Sequence, residues 1–182
     1  GIDVAASEFY DTETGKYTLK ADKGVFTSKE MVDNKETSTY ELWSSDWSKG
    51  FMKNGNVFAY FGPAWFFNFS MNAAKDGSVG KDGGWALCQG PQSFYWGGTW
   101  ICGANGTDNS SLVKDIIEKM TTDESIMTDI VKKDNDFANN KAAMDKLSKD
   151  KSFKNSILGG QNPLPIFCDG IESIDLSNLS SY

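Results

Sequence analysis

The chain is predicted to be an α/β domain in which a sheet is packed by helices. Two observations point that way. Short apolar runs closed by glycine or proline recur at 57–61, 83–88 and 99–104, and each has the length and composition of a strand. Downstream, apolar residues change to helical spacing: Leu112, Ile116, Ile117 and Met120 form one stripe, Ile126, Met127 and Ile130 a second, Ala143, Met144 and Leu147 a third.

Taken in order, residues 1–33 form a paragraph of their own. Glu13-Thr-Gly-Lys16 has the chemistry of a hairpin turn, and Thr27-Ser-Lys-Glu30 fits a helix start with a hydroxyl cap and an acidic first turn. The next stretch, 31–39, loses apolar periodicity, which marks a boundary near residue 34. Residues 45–55 then predict a short helix carrying Trp47 and Phe51 on one face, with Gly55 as its stop. The run 57–61 ends at Gly62-Pro63, and 65–74 predicts a helix with an aromatic face. Asp108-Asn-Ser-Ser111 offers caps for the helix of the first stripe, whose four apolar residues are expected to face the core. Helices over 123–133 and 140–149 follow, then a loop at 159–165, and a further element starts near Ile166. The chain runs out at Tyr182 in a polar, serine-rich segment and is expected to be incomplete.

Composition excludes several chemistries. There is no histidine, which removes Ser-His-Asp and Cys-His catalysis and every histidine metal site. Carboxylates are plentiful, but nothing in their spacing makes two converge, and no phosphate-binding Gly-Lys-Ser/Thr loop is present. Asp134-Asn-Asp136 lacks the glycine and terminal glutamate of a calcium loop. A formal charge of −7 disfavours nucleic acid and anionic membranes as partners. Cys88, Cys102 and Cys168 form no Cys-x-x-Cys pair; they are read as buried free thiols, with a Cys88–Cys102 disulfide as the alternative. No apolar run reaches the length of a membrane span, and no signal peptide is recognisable. The chain is therefore expected to bind rather than to catalyse, with no cofactor and no metal.

All six tryptophans fall between residues 43 and 103, and two of them, Trp65 and Trp96, sit beside Gly-Pro or Gly-Gly breaks. Aromatic rings on turns, next to glycines that admit a ligand to the backbone, suit a carbohydrate. Its C–H faces stack on rings, and amides or carboxylates read its hydroxyls. Trp65 with Asn68, and Tyr95, Trp96, Gly97 and Gly98, supply that mixture, with Asp46 and Gln92 as further polar candidates. Trp85 and Trp100 alternate with apolar residues and are assigned to the core.

From about residue 35 to the end, the chain resembles family 1 of the extracellular solute-binding proteins of bacterial ABC importers, the maltose-binding-protein-like sugar binders. The text that carries the resemblance is Leu42-Trp-Ser-Ser-Asp-Trp-Ser-Lys-Gly50, Val57-Phe-Ala-Tyr-Phe-Gly-Pro-Ala-Trp65, Gln89-Gly-Pro-Gln-Ser-Phe-Tyr-Trp-Gly-Gly-Thr-Trp-Ile-Cys102, Leu112-Val-Lys-Asp-Ile-Ile-Glu-Lys-Met-Thr-Thr-Asp123 and Leu158-Gly-Gly-Gln-Asn162. It implies a partial type II periplasmic-binding-protein fold over 35–182, part of a two-lobed architecture that closes on its ligand about a hinge. It also implies an extracellular, membrane-anchored lipoprotein as parent, an oligosaccharide as ligand and a membrane permease as partner. Trp65, Tyr95, Trp96, Gly97 and Gly98 would face the ligand.

Residues 1–34 are similar to a different family, enolase, through Gly1-Ile-Asp-Val-Ala-Ala-Ser-Glu-Phe-Tyr10, Thr14-Gly-Lys-Tyr17 and Thr27-Ser-Lys-Glu-Met-Val-Asp33. The likeness places Asp3 at a magnesium-ligand position, but the other two ligands and the catalytic lysines have no counterpart. The cross-class alternative is accordingly an enolase-derived chain whose parent dehydrates 2-phosphoglycerate. A third is an interaction module without a small ligand.

Overall fold

The computed structural model describes residues 10–11, 14, 16–19, 24–26, 28–33, 40–55, 57–71, 76–90, 93–94, 96–175 and 177. Near the N-terminus three short strands, β1 (Tyr10–Asp11), β2 (Lys16–Leu19) and β3 (Gly24–Phe26), form an antiparallel meander. Tyr10 pairs with Tyr17 and Asp11 with Lys16, and Thr14 between the two strands lies in a turn; Glu13 and Gly15 of the expected hairpin turn lie outside the described residues. Helix α1 (Ser28–Asp33) follows, with a Lys29–Asp33 ion pair of 2.5 Å on its exposed face.

The expected sheet flanked by helices is not what the chain forms. Among the described residues from Tyr40 onward there is no strand, only an isolated bridge between Met52 and Ser78. The runs 57–61, 83–88 and 99–104 are irregular. A strand exists only when a neighbouring backbone takes up its hydrogen bonds in a continuous ladder, and among the described residues of these runs no such ladder forms. Phe58 is 97% exposed and residues 99–104 are exposed throughout. In 84–88 the side chains do alternate, Trp85 and Leu87 inward and Ala86 and Cys88 outward. The partner of that run is a loop: Trp85 N–H donates to the Ile157 carbonyl at 3.3 Å, and Leu87 bonds the Gln161 side chain.

Helices build the rest. Helix α2 (Ser45–Ser48) starts at Ser44, whose Oγ accepts from Trp47 N–H at 3.1 Å, and runs into a 3-10 turn at Lys49–Phe51. Helix α3 (Phe66–Phe69) is much shorter than the predicted 65–74, of which 72–75 lie outside the described residues. Helices α4 (Ser110–Thr122), α5 (Glu124–Asp134), α6 (Lys141–Ser148) and α7 (Leu164–Glu172) complete the chain. Local chemistry explains their limits. Asp123 accepts from Ile126 N–H at 3.0 Å to start α5, and Asn135, in the left-handed conformation, ends it. Asn140 accepts from Ala143 N–H at 2.9 Å to start α6, and its own amide donates to the Thr122 carbonyl at the end of α4. Asn162 donates to the Leu147 carbonyl at 3.0 Å and accepts from Leu164 N–H at 3.0 Å, tying the end of α6 to the start of α7.

Two apolar clusters result. One packs Met127, Val131, Ala143, Met144, Leu147, Phe153 and Leu164 between α5, α6 and α7. Val131 and Leu164 are sealed from solvent, and burial of such a side chain contributes about 1.5–3 kcal/mol. The other packs Phe51, Phe66, Phe67, Met71, Ile157 and Leu158. Phe167 borders both: its ring stacks on Phe67 at 6.0 Å and meets Phe137 edge-on at 6.0 Å.

The helix over 110–122 turns a different face inward from the one its stripe predicts. Of the four stripe residues, Leu112, Ile116 and Met120 are exposed and Ile117 is half-buried, on the inward side with Val113 and Thr121. The cysteine and tryptophan assignments also change. All three cysteines are free, Cys88 and Cys102 on the surface and Cys168 half-buried, and Trp100 is 80% exposed rather than core.

Candidate functional site

The second cluster opens onto the surface through its aromatic rings. Trp47 lies at its inner edge, 4.9 Å from Phe51 and 5.5 Å from Tyr60 between ring centroids. The Tyr60 hydroxyl donates to the Trp47 carbonyl at 3.2 Å, and burial pushes the phenol pKa up to about 12. This pair anchors α2 against the 57–65 stretch and sets the position of everything outside it.

Outward from there, Trp43, Trp65, Phe69 and Trp96 gather on one face. Trp43 stacks on Trp65 at 5.9 Å with 24° between planes. Phe69 meets Trp43 at 6.1 Å and Trp65 at 5.7 Å, both edge-on. Trp65 and Trp96 meet edge-on at 6.2 Å. Trp65 and Phe69 are four residues apart across α3, which puts both rings on one side of it. Trp43 is 46% exposed and Phe69 76%, so the outer rings present apolar area to solvent. Such contiguous exposed aromatic surface marks binding sites more often than scattered single residues do.

Trp43 adopts a backbone φ of 69° in a turn closed by Ser44 N–H on the Glu41 carbonyl at 3.0 Å. The left-handed region costs a bulky L-residue roughly 1–2 kcal/mol, so the stacking partners hold the ring against that preference. Trp43 and Phe69 are not among the site residues expected from the sequence. Nothing local announces the left-handed turn at Trp43, and Phe69 has the spacing of one face of an ordinary helix.

The remaining candidates part company. Asn68 turns to α5: its amide donates to the carbonyl of Asp134, and more weakly to that of Asn135 at 3.5 Å. Asp46 pairs with Lys49 at 2.5 Å across an exposed turn. Gly97 and Gly98 are exposed, and Gly97 has φ 66° with open space where a side chain would sit. Among the described residues, no backbone hydrogen bond engages 96–103, which leaves those N–H and C=O groups to solvent or a ligand. Tyr95, Gln92 and Asp3 lie outside the described residues.

Two hollows lie elsewhere. One of about 250 Å³ sits between α6 and α7 beside Met144, Cys168 and Ile171; another of about 570 Å³ runs along α4 by Leu112 and Ile116. Neither reaches Trp65 or Trp96. At the aromatic face the outer rings, Trp43 and Phe69, are open to solvent. Among the described residues no group of three carboxylates or thiols converges as a metal site, and no helix is long and apolar enough to cross a membrane. No known family model matches the sequence, and no solved structure matches the chain.

Proposed function

We propose that the Trp43–Trp65–Trp96 face, with Phe69 at its edge, binds a neutral carbohydrate. The observation that carries this reading is Trp43, held in a left-handed turn with its indole stacked on Trp65 and its outer side in solvent. Backbone strain of this kind persists where the surroundings enforce it, often at ligand sites. The face itself bears no formal charge, which suits a sugar better than an ion. A pyranose laid on the indoles gives its C–H face to the rings. The unengaged main chain of 96–103 supplies donors and acceptors for its hydroxyls.

The wider role is proposed on the sequence resemblance alone. It is the extracellular binding component of an ABC importer, which traps an oligosaccharide and delivers it to a permease.

Calorimetric titration with a panel of neutral oligosaccharides tests the site. Each indole should contribute roughly 1 kcal/mol or more, so Trp43→Ala, Trp65→Ala and Trp96→Ala are each expected to weaken binding about tenfold. Asp46→Asn should leave it unchanged. Absence of heat with every sugar, or wild-type affinity in all three tryptophan variants, would remove carbohydrate from this face.

A further inference from the structure

The sequence holds two Asn-Gly pairs, Asn54–Gly55 and Asn105–Gly106. This dipeptide carries a reaction of its own. The backbone nitrogen that follows an asparagine can reach the side-chain amide carbon and close a five-membered ring. Glycine, without a Cβ, obstructs that approach least. The fold sets the two pairs apart.

Asn54 and Gly55 are fastened. Gly55 N–H donates to the Met52 carbonyl at 2.7 Å, and Lys53 N–H donates to the Gly77 carbonyl at 2.9 Å. Gly55 is half-buried, and the Lys49 and Gly50 carbonyl oxygens each lie 2.8 Å from where a Cβ would stand. Ring closure there must break the Gly55 bond and turn the backbone against packed neighbours. Asn105 and Gly106 are both exposed, in a turn closed by Thr107 N–H on the Ala104 carbonyl at a long 3.4 Å. Gly106, at φ 80°, has nothing within 4 Å of a Cβ position. Among the described residues, neither the Gly106 N–H nor the Asn105 side chain has a hydrogen-bond partner.

We propose that Asn105 is a self-modifying site and that Asn54 is its protected counterpart. The Gly106 nitrogen gives its proton to solvent base and bonds to Asn105 Cγ. The side-chain nitrogen leaves as ammonia, taking a proton back from solvent, and a succinimide remains. Water then opens the ring at either carbonyl, to aspartate or to isoaspartate. The net change is one water consumed and one ammonia released. Each product adds one negative charge to a chain of formal charge −7. Isoaspartate also inserts one more carbon into the main chain between the run 96–103 and α4.

The test incubates the whole chain at mildly alkaline pH, which favours the deprotonated amide. Mass spectrometry maps its peptides, and chromatography separates aspartate from isoaspartate. Asn105 should convert at least about tenfold faster than Asn54, the factor that one retained hydrogen bond supplies. In urea strong enough to unfold the chain, the two rates should draw together, because the same dipeptide then has the same freedom. Gly106→Ala should slow conversion at Asn105 and leave Asn54 as it was, and Asn105→Gln should abolish conversion at that position. An intact Asn105, or equal conversion of both asparagines in the folded chain, overturns the proposal. A gap that persists undiminished in urea overturns the protective role of the fold at Asn54.

Discussion

The side-chain amide of Gln161 pairs with the backbone of Leu87 through two hydrogen bonds, accepting from Leu87 N–H at 2.8 Å and donating to the Leu87 carbonyl at 2.8 Å. It imitates a neighbouring strand for one residue. The loop that carries Gln161 is itself closed by Asn155, whose N–H donates to the Gln161 carbonyl at 3.1 Å and whose carbonyl accepts from Gly160 N–H at 2.9 Å. The 84–90 stretch, which leads toward Trp96, is thereby fastened to the C-terminal part of the chain.

Gln161→Leu removes both bonds and strands two polar groups at a partly buried position. It should cost roughly 2–3 kcal/mol in urea unfolding. Gln161→Glu keeps the acceptor but loses the donor at neutral pH. A protonated glutamic acid can donate to the Leu87 carbonyl again, so the deficit of that variant should shrink as the pH falls toward about 4. A pH-independent deficit would separate the loss from hydrogen bonding.

Introducing a charge should discriminate the two kinds of apolar position on the C-terminal helices. Val131 is wholly buried and Ile116 is 48% exposed. Val131→Asp should destabilise by several kcal/mol, on the order of a buried unpaired charge, and Ile116→Asp by no more than about 0.5 kcal/mol. Thermal unfolding measures both. Equal losses would mean that Ile116 packs inward.

Asp136 gives a pH dependence. Burial raises its pKa, although Phe137 N–H donates to its carboxylate at 2.7 Å and opposes the rise. A carboxyl whose pKa is higher folded than unfolded favours the fold while protonated. That contribution is fully present below the unfolded pKa and is lost as pH rises through the folded one. Asp136→Asn, which keeps the acceptor without the charge, should raise the melting temperature at neutral pH. At a pH well below the carboxylate range it should leave the melting temperature unchanged.

Two glycines with positive φ should respond differently to alanine. Gly83, at φ 69°, lies against the backbone of Gly159 and Ser156, each 2.9 Å from where a Cβ would stand. Gly97, at φ 66°, has nothing within 4 Å. Gly97→Ala should cost about 1 kcal/mol, the conformational penalty alone, and Gly83→Ala clearly more because backbone must move as well. Denaturant midpoints of the two variants provide the comparison.

The sequence by itself determined α4, α5 and α6, the last two to within a residue or two; α7 starts at Leu164, inside the stretch expected to be a loop, and only an element of unstated type was expected near Ile166. The starts of α5 and α6 rest on Asp123 and Asn140 bonding N–H groups three residues ahead, and their apolar stripes repeat within a single turn. These are interactions between near neighbours, so the local text contains them. The hairpin turn before β2 was legible for the same reason.

Tertiary structure decided the rest. Whether 57–61, 83–88 and 99–104 became strands depended on a partner backbone, and residues more than seventy positions away answered that question for Leu87 with a side chain instead. Which edge of the Leu112, Ile116, Ile117 and Met120 stripe turned inward could not be read locally, because Val113 beside Ile117 is as apolar as Leu112 beside Ile116, and only packing against the rest of the chain chooses between the two edges. Asn68 was withdrawn from the aromatic face by the carbonyls at the end of α5, and Trp43 was brought to it by a left-handed turn closed through stacking on Trp65. Each of these outcomes is a competition between contacts distant in sequence. Hydrogen bonding and packing settle it in three dimensions, where propensity and periodicity along the chain carry no vote.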